Sequence, residues 1–258
     1  PFTGKINVQL LHHDQLVLEN VSFQYAGTQS PYVLKDINLT IPKGKVTAIV
    51  GSSGSGKTTL LKLLLRFYEP TAGAVRMGNT AFTNIPIKWW RNECGVVMQE
   101  GFIFSDTIAR NISVSDDRID EKKLLHAVKV SNIENFIQEL PLGYTTKIGN
   151  TGNGLSTGQK QRMLIARAVY KNPSYLFFDE ATSALDANNE KIIMENLQRF
   201  YYGKTVVVIA HRLSTVKNAD QIIVVEHGKI VETGNHQTLT KQKGKYFELV
   251  KNQLELEG

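Results

Sequence analysis

Gly51-Ser-Ser-Gly-Ser-Gly-Lys57-Thr58 fits the pattern G-x-x-x-x-G-K-[ST] of a phosphate-binding loop at each fixed position. The run before it, Val46-Thr-Ala-Ile-Val50, is nearly all apolar, as in a parallel strand buried on both faces. The leucine-rich run after it has helical spacing. In this order of strand, loop and helix, backbone N–H groups face phosphate oxygens, Lys57 reaches the outer phosphates and Thr58 offers its hydroxyl to Mg²⁺. The stretch therefore predicts a P-loop.

The composition is that of a soluble globular domain. The 258 residues are 41% hydrophobic and 21% charged, and no apolar run approaches the ~18 residues of a membrane span. The single Cys94 excludes an internal disulfide and suits a reducing compartment. The net charge of +6 suits an anionic ligand or a membrane surface, but the basic residues are spread too evenly for a nucleic-acid stripe. Because the sequence starts at Pro1 without an initiator Met or a signal peptide, we expect a domain of a longer polypeptide.

Alternating segments predict antiparallel strands at both ends of the chain. Apolar and polar residues alternate over Val21–Tyr25 and again over Ile37–Ile41. Residues 222–232 have the pattern of a hairpin, and residues 246–254 that of an amphipathic helix. Tyr25 ends a strand upstream of the P-loop, where its ring could stack on a nucleobase or pack in the β core. The periodicity alone leaves both interpretations open.

The middle of the chain predicts two strands and then a helical insert. The strands cover residues 74–77 and 95–98, and Gln99 closes the second. An open α/β sheet places ligand-facing groups at the carboxyl ends of its strands, although a lone Gln there is more often only a strand terminus. From residue 102 to 140 helical spacing takes over, as at Leu124, Leu125 and Val128, and predicts a helical insert.

Leu155-Ser-Thr-Gly-Gln159 precedes a long helical pattern that we expect to end before Pro173. Ser156 and Gln159 stand three apart, which is the spacing of a capping box. The stretch is also a helix N-terminus with a glycine in its first turn, which would make a second anion site. The residues alone favour the cap and leave the anion site open.

Two apolar strands lead into polar residues in the second half of the chain. Tyr175-Leu-Phe-Phe178 runs into Asp179 and Glu180. In a P-loop fold, an acid in the position of Asp179 can hold Mg²⁺ through its hydration shell, and Glu180 can address the attacking water. The strand over residues 205–210 ends at His211, which we expect at the same edge of the sheet.

Together these stretches resemble the nucleotide-binding domain of ABC transporters over residues 16–256. The motifs that carry the resemblance are the Walker A at 51–58, the Q-loop at Gln99, the signature at 155–159, the Walker B at 175–179, the catalytic acid Glu180, the D-loop at 183–186 and the switch histidine His211. The implied fold class is α/β, a P-loop NTPase of the ABC type with a mixed sheet core, a RecA-like parallel part, an antiparallel β subdomain and a helical subdomain. We expect one domain over 1–258, with the catalytic core at 1–98 and 160–258 and the Q-loop, helical subdomain and signature at 99–159.

The resemblance implies an ATPase that uses ATP and Mg²⁺. The catalytic residues would be Glu180, His211, Gln99 and Asp179, and the metal shell would include Thr58, Gln99 and Asp179. Tyr25 would stack on adenine. The full set of nucleotide-binding residues would be Tyr25, Gly51, Ser52, Ser53, Gly54, Ser55, Gly56, Lys57, Thr58, Thr59, Ser156, Thr157, Gly158, Gln159 and Asp186.

The resemblance also implies partners and a location. Two domains would pair head to tail as a homodimer around two ATP molecules, with Ser156 and Gly158 closing on the γ-phosphate held by the partner's Lys57. Hydrolysis would remove the bridging phosphate and open the pair. A transmembrane domain would be the second partner, at the cytoplasmic face of a bacterial inner membrane, and no nucleic acid would be bound.

Two residues depart from the wider family. Thr157 stands where a second glycine is usual in the signature, which is tolerable if that residue is already helical and costly if it needs a positive φ. Asn150 stands where related exporters usually carry a Glu. Neither departure touches the hydrolytic residues.

Three alternatives remain to be weighed against an exporter motor that moves peptides. A soluble ABC-type ATPase acting on DNA or ribosomes would need a long coiled-coil insert or a second cassette, and no sustained heptads are present. A non-hydrolysing dimerisation module is disfavoured by Glu180 and His211. A lipid or drug exporter would have the same hydrolytic set, but the runs at 98–108, 147–162 and 184–189 most resemble bacterial peptide and bacteriocin exporters that carry a cysteine-protease domain.

Overall fold

The computed structural model describes residues 7–26, 29–98, 101–114, 117–149, 154–179 and 185–254. The chain divides into two compact units. The first unit comprises Pro1–Cys94, Ser174–Phe178 and Gly203–Gly258, and the second comprises Gly95–Pro173 and Asp179–Tyr202. The predicted site positions Gln99, Asn150, Glu180 and Ser183 lie outside the described residues.

The strands and helices follow the predicted order closely. The strands are β1 (Leu16–Phe23), β2 (Leu34–Ile41), β3 (Val46–Val50), β4 (Ala72–Met77), β5 (Thr80–Ala81), β6 (Cys94–Val97), β7 (Asp106–Thr107), β8 (Lys147–Ile148), β9 (Tyr175–Asp179), β10 (Thr205–Ile209), β11 (Gln221–Glu226) and β12 (Lys229–Gly234). The helices are α1 (Lys57–Leu64), α2 (Ile87–Glu93), α3 (Ile108–Ser113), α4 (Glu121–Val130), α5 (Glu134–Glu139), α6 (Thr157–Lys171), α7 (Ala187–Phe200), α8 (Leu213–Lys217), α9 (His236–Gln242) and α10 (Lys245–Leu249). Short 3₁₀ turns lie at Val8–Leu10, Phe82–Asn84 and Gly143–Thr145, and a π-helical turn covers Val250–Leu254.

The first unit contains both kinds of sheet that the sequence predicts. One sheet has the order β2-β1-β4-β5 and is antiparallel throughout, so the alternating segments are confirmed as antiparallel strands. In the other, the strands of this unit follow the order β12-β11-β3-β10-β9. Here β3 lies between β11 and β10 and is parallel to both, which explains why Thr47 to Val50 are buried and why the strand is apolar. The fold is therefore α/β with a mixed sheet.

Trp90, in the first unit, is the largest fully buried side chain among the described residues. Its side chain is fully buried, and its indole Nε1 donates a hydrogen bond to the Leu64 carbonyl at 3.0 Å. The Trp90 ring contacts the rings of Phe82 and Tyr175, at centroid distances of 4.9 and 4.8 Å. A buried indole needs such a partner for its N–H, and here the partner is the last turn of the helix that follows the P-loop. The packing therefore fixes the far end of α1.

The second unit is mostly helical, as the insert pattern predicts. Leu124 and Val128 of α4 are buried, since residues four apart share one helix face. Leu125 is 44% exposed, because it lies about 100° from Leu124 around the helix. The helix α6 ends as expected, with Asn172 in the left-handed conformation immediately before Pro173. In the described part of the chain, every helix is too short or too polar to span a membrane.

Candidate functional site

The loop between β3 and α1 forms a backbone cradle in which two glycines are required. A Cβ atom added to Gly51 would lie 2.2 Å from the carbonyl oxygen of Val225 on β11. Gly56 has a φ of +108°, and a Cβ there would lie 2.8 Å from the Leu34 side chain. Only glycine suits both positions, because both lack space and both have a positive φ, which is +157° at Gly51. The cradle thus keeps its backbone close to the neighbouring strand.

The turn between β11 and β12 supports the cradle through a backbone hydrogen bond. The amide of Gly228 donates a hydrogen bond to the Ser55 carbonyl at 2.9 Å, and the Ser55 amide donates to the Ser52 carbonyl at 3.2 Å. A Cβ on Gly228 would lie 2.2 Å from the Val33 carbonyl oxygen. The hairpin was predicted as a local element only, and its supporting contact joins residues far apart in sequence. No local pattern in the sequence reports such a contact.

Lys57 places a positive charge inside the cradle. The residue is only 8% exposed, and its Nζ donates hydrogen bonds to the carbonyl oxygens of Gly51 at 2.7 Å and Ser52 at 2.8 Å. A buried ammonium next to backbone N–H groups at a helix N-terminus favours an anionic ligand. Thr58, the next residue, is exposed on the first turn of α1. These residues fit a triphosphate: the glycines give close approach, Lys57 gives the charge and Thr58 gives a hydroxyl for Mg²⁺.

Tyr25 lies beyond the end of β1 and outside the buried core. Its side chain is 50% exposed, and its hydroxyl is 2.7 Å from Thr59 Oγ1 on the helix after the P-loop. Its ring makes edge contacts with the rings of Phe23 and Tyr68, at centroid distances of 4.9 and 5.3 Å. The structure therefore brings Tyr25 to the P-loop helix and leaves part of its ring open to a ligand. The sequence assigns no role to Tyr68, because this residue follows the helical pattern after the P-loop and belongs to no motif.

The register of the central sheet places His211 beside the P-loop. Ile209 pairs with Ile49 in the parallel ladder of β10 and β3, so His211 comes level with Gly51 at the carboxyl edge. His211 is exposed there. Asp179 ends β9, is half-buried, and is grouped with the second unit. Among the described residues no group of three or more His, Cys, Asp and Glu side chains forms a metal site.

The signature stretch begins a helix in the way the capping spacing predicts. The Gln159 amide donates to Ser156 Oγ at 3.1 Å, and the Ser156 amide donates to Gln159 Oε1 at 2.9 Å. The capping box is therefore present. Thr157 is the first residue of α6, and its φ is not positive. The replacement of the usual glycine by threonine thus carries no backbone strain.

The second unit brings the signature and the end of the D-loop together around one cavity. The cavity has a volume of about 570 Å³. Asp186 caps α7. Its Oδ1 accepts a hydrogen bond from the backbone N–H of Asn189 at 2.9 Å, and its Oδ2 accepts one from the side-chain Nδ2 of Asn189 at 2.6 Å. These two bonds, with the nearby charge of Arg162, hold the pKa of Asp186 below its usual range. The cavity is lined by Ser156, Thr157, Gly158, Arg162, Leu185, Asp186 and Asn189.

Two further residues connect the walls of this cavity and were assigned no role from the sequence. Nη1 of Arg162 donates to the Asn132 carbonyl at 2.8 Å, and Nδ2 of Asn132 donates to Asn189 Oδ1 at 2.7 Å. Burial lowers the pKa of Arg162, while the Asp186 carboxylate opposes that shift. The sequence marks Asn132 only as a residue between two helical patterns. Its αL backbone conformation is typical of asparagine, but its side-chain partners are set by tertiary structure.

Comparison with known proteins gives one consistent result. The profile of the family described as "ABC transporter" matches residues 34–183. The exotoxin translocation ATP-binding protein PaxB of Pasteurella aerogenes is 46% identical over 98% of this chain and 35% of its own length. The alpha-hemolysin translocation ATP-binding protein HlyB of Escherichia coli is 45% identical over 93% of this chain and 34% of its own length. The chain thus spans about a third of the length of these relatives.

A solved structure with bound nucleotide has the same fold. It is a bacterial Atm1-family ABC exporter with ATP bound, and it matches 95% of this chain and 42% of its own length. The TM-score is 0.88 at 36% sequence identity. At 36% identity, the similarity to this structure indicates a common family as well as a common fold.

Proposed function

Since the chain belongs to the ABC transporter family and is an ATP-binding domain with ATPase activity, we propose that it is the motor of an exporter and works as a head-to-tail pair. The observation that carries the proposal is that each of the two units provides a different surface that suits phosphate. One unit holds a glycine cradle with a buried lysine, and the other holds a capped helix N-terminus next to an aspartate. Both surfaces suit phosphate, and a pair of chains supplies each surface twice.

In this proposal the first unit binds one ATP. The cradle N–H groups and Lys57 hold the phosphates, and the exposed part of the Tyr25 ring stacks on adenine. His211, level with Gly51 at the sheet edge, contacts the γ-phosphate and its water. Mg²⁺ supplies charge neutralisation of the phosphates when it is bound. The metal ligands would be Thr58, Gln99 and Asp179.

Glu180 is the proposed base-like group that orients the attacking water. Ser156, Thr157, Gly158 and Gln159 of one chain close on the γ-phosphate of the other, together with Asp186. The ATP site is then complete only in the pair, so ATP has a higher affinity for the closed pair than for the single chain. Static light scattering of the Glu180→Gln variant tests this step. We expect a monomer without nucleotide and a doubled mass with Mg-ATP, and an unchanged mass would contradict the pairing.

Two exposed aromatic side chains support docking of a membrane domain on the second unit. Phe102 and Phe104 are 62% and 42% exposed. Arg167 contacts both of these residues. Its Nη1 donates a hydrogen bond to the Phe102 carbonyl at 2.9 Å, and its guanidinium lies 5.1 Å from the Phe104 ring centroid. Apolar rings fixed in an exposed position suit an apolar partner segment. The proposed location is therefore the cytoplasmic face of a bacterial inner membrane, next to a transmembrane domain.

For the cargo we propose a peptide-like molecule, cut from its leader by a cysteine-protease domain of the same polypeptide. The relatives are named as translocation proteins for exotoxin and alpha-hemolysin, and the signature region with Asn150 and Thr157 resembles peptide exporters. A lipid or drug exporter without a protease is the alternative. The sequence of the coding region upstream of Pro1 distinguishes them: six spans with a cysteine protease support the peptide exporter, and six spans without one contradict it.

A further inference from the structure

Asn132 makes contact with both helices that form the walls of the 570 Å³ cavity. It lies in the turn between α4 and α5 with a φ of +53° and is half-buried. Its carbonyl accepts from Arg162 Nη1 on α6 at 2.8 Å, and its side-chain Nδ2 donates to Asn189 Oδ1 on α7 at 2.7 Å. One residue therefore links the signature helix to the helix that Asp186 caps.

The polarity of this chain of hydrogen bonds is set by Asp186. An ionised carboxylate only accepts, so it requires the Nδ2 end of the Asn189 amide, which donates to it at 2.6 Å. The opposite end of that amide, Oδ1, then faces Asn132 and requires a donor there. The donor is the Asn132 amide. Reversing either amide would place two acceptors or two donors against each other, so each bond enforces the next.

We propose that Asn132 is a positioning residue for ATP hydrolysis, which holds Asp186 and the first turns of the signature helix in the arrangement that closes on ATP. The proposal rests on the paired arrangement proposed above. Asn132 belongs to the second unit, whereas the glycine cradle and Lys57 belong to the first. Its loss should therefore weaken pairing and turnover while a single chain still binds ATP normally.

The chain offers a matched control in Asn196. This residue lies two turns further along α7, is also half-buried, and its Nδ2 donates to the carbonyls of Lys129 and Val130 at 3.3 and 3.2 Å. Like Asn132, it docks α7 on the end of α4. It has no hydrogen bond to Asp186 or Asn189 among the described contacts. Asn196→Ala thus loosens the same helix contact without disturbing the cavity.

The test uses Asn132→Gly, Asn132→Asp and Asn196→Ala. Glycine accepts the positive φ and keeps the carbonyl for Arg162, so Asn132→Gly removes only the side-chain bond. Asn132→Asp keeps the shape but offers no donor, and it competes with Asp186 for the Asn189 amide. If Asn132 acts through bond polarity, Asp is at least as harmful as Gly. If it only fills space, the isosteric Asp is the milder change.

The first measurement is the protein concentration for half-maximal pairing with Mg-ATP, read by light scattering in the Glu180→Gln background. We expect Asn132→Gly to raise it by about 2- to 13-fold, the factor that one hydrogen bond contributes, and Asn132→Asp to raise it by at least as much. Asn196→Ala should leave it unchanged. Equilibrium binding of a fluorescent ATP analogue to the dilute single chain should not change in any variant. Equal effects of Asn132→Gly and Asn196→Ala on pairing would overturn the proposal.

The second measurement needs no pairing. Solvent exchange of the Asn189 side-chain amide protons, followed by NMR on the single chain, should accelerate in Asn132→Gly and stay at the wild-type rate in Asn196→Ala. If wild type does not pair with ATP but this exchange responds as expected, the pairing is wrong and the positioning of Asp186 stands. Unchanged exchange in Asn132→Gly contradicts the positioning role whatever the state of pairing.

Discussion

Replacing Gly51 by alanine tests whether the cradle depends on close contact with β11. The new Cβ would lie 2.2 Å from the Val225 carbonyl oxygen, well below the 3.0 Å that real Cβ contacts respect. Because that oxygen belongs to the backbone of a central strand, the loop itself must move, by close to 1 Å. Gly54→Ala is the matched control: Gly54 has a φ of +74° but nothing within 4 Å of the added Cβ. Gly51 also has a positive φ, of +157°, so both variants carry backbone strain and only Gly51→Ala adds the clash.

Backbone strain of the kind expected in Gly54→Ala costs about 1–2 kcal/mol, and forcing an extra carbon into a packed site costs about 1–3 kcal/mol. We therefore expect Gly51→Ala to lose about 1–3 kcal/mol more free energy of unfolding than Gly54→Ala. Urea unfolding without nucleotide measures this, followed by tryptophan fluorescence, since both tryptophans, Trp89 and Trp90, lie in the first unit. Gly51→Ala should also weaken ATP binding, because the displaced loop misplaces its N–H groups. If Gly51→Ala unfolds at the same urea concentration as Gly54→Ala, the account of the cradle is wrong.

Lys57→Ala should abolish measurable ATP affinity in equilibrium binding, because it removes the charge that two loop carbonyls now hold; wild-type affinity would contradict this role. Thr59→Val keeps the side-chain shape but removes the partner of the Tyr25 hydroxyl. ATP affinity should fall about 2- to 13-fold, the factor for one hydrogen bond, and an unchanged affinity would contradict a role of the Tyr25–Thr59 contact in binding. Burial raises the pKa of Tyr246 to about 12, so the phenol contributes stability that is fully present below pH ~10 and is lost as the pH rises through about 12. Tyr246→Phe should therefore flatten the decline of stability in urea melts between pH 10 and 12, and an unchanged slope would count against the burial effect.

The fold and the phosphate loop could be predicted because their signals are local. The glycines and Lys57 stand at fixed spacings, and the buried strand before them is a continuous apolar run. The capping box at Ser156 and Gln159 likewise involves only residues within one helical turn. Such features depend on neighbours a few residues away, so the pattern and the structure agree.

The parts that could not be predicted depend on contacts between distant segments. Asn132 and Asn189 are 57 residues apart, and neither stands in a periodic pattern that points to the other. The periodicity cannot distinguish stacking of Tyr25 on a nucleobase from packing in the β core, because its contacts are with Thr59 and Tyr68, more than 30 residues further along the chain. Leu125 shows the limit of apolar spacing, since an apolar residue next to a core position need not face the core.

The most direct test of the proposed catalytic role is phosphate release by wild type and Glu180→Gln under saturating Mg-ATP. The substitution keeps the size of the side chain and removes the base-like carboxylate. We expect the variant to bind ATP with near wild-type affinity while its turnover falls by about 100-fold or more. If Glu180→Gln releases phosphate at the wild-type rate, the assignment of this chain's hydrolytic centre is wrong.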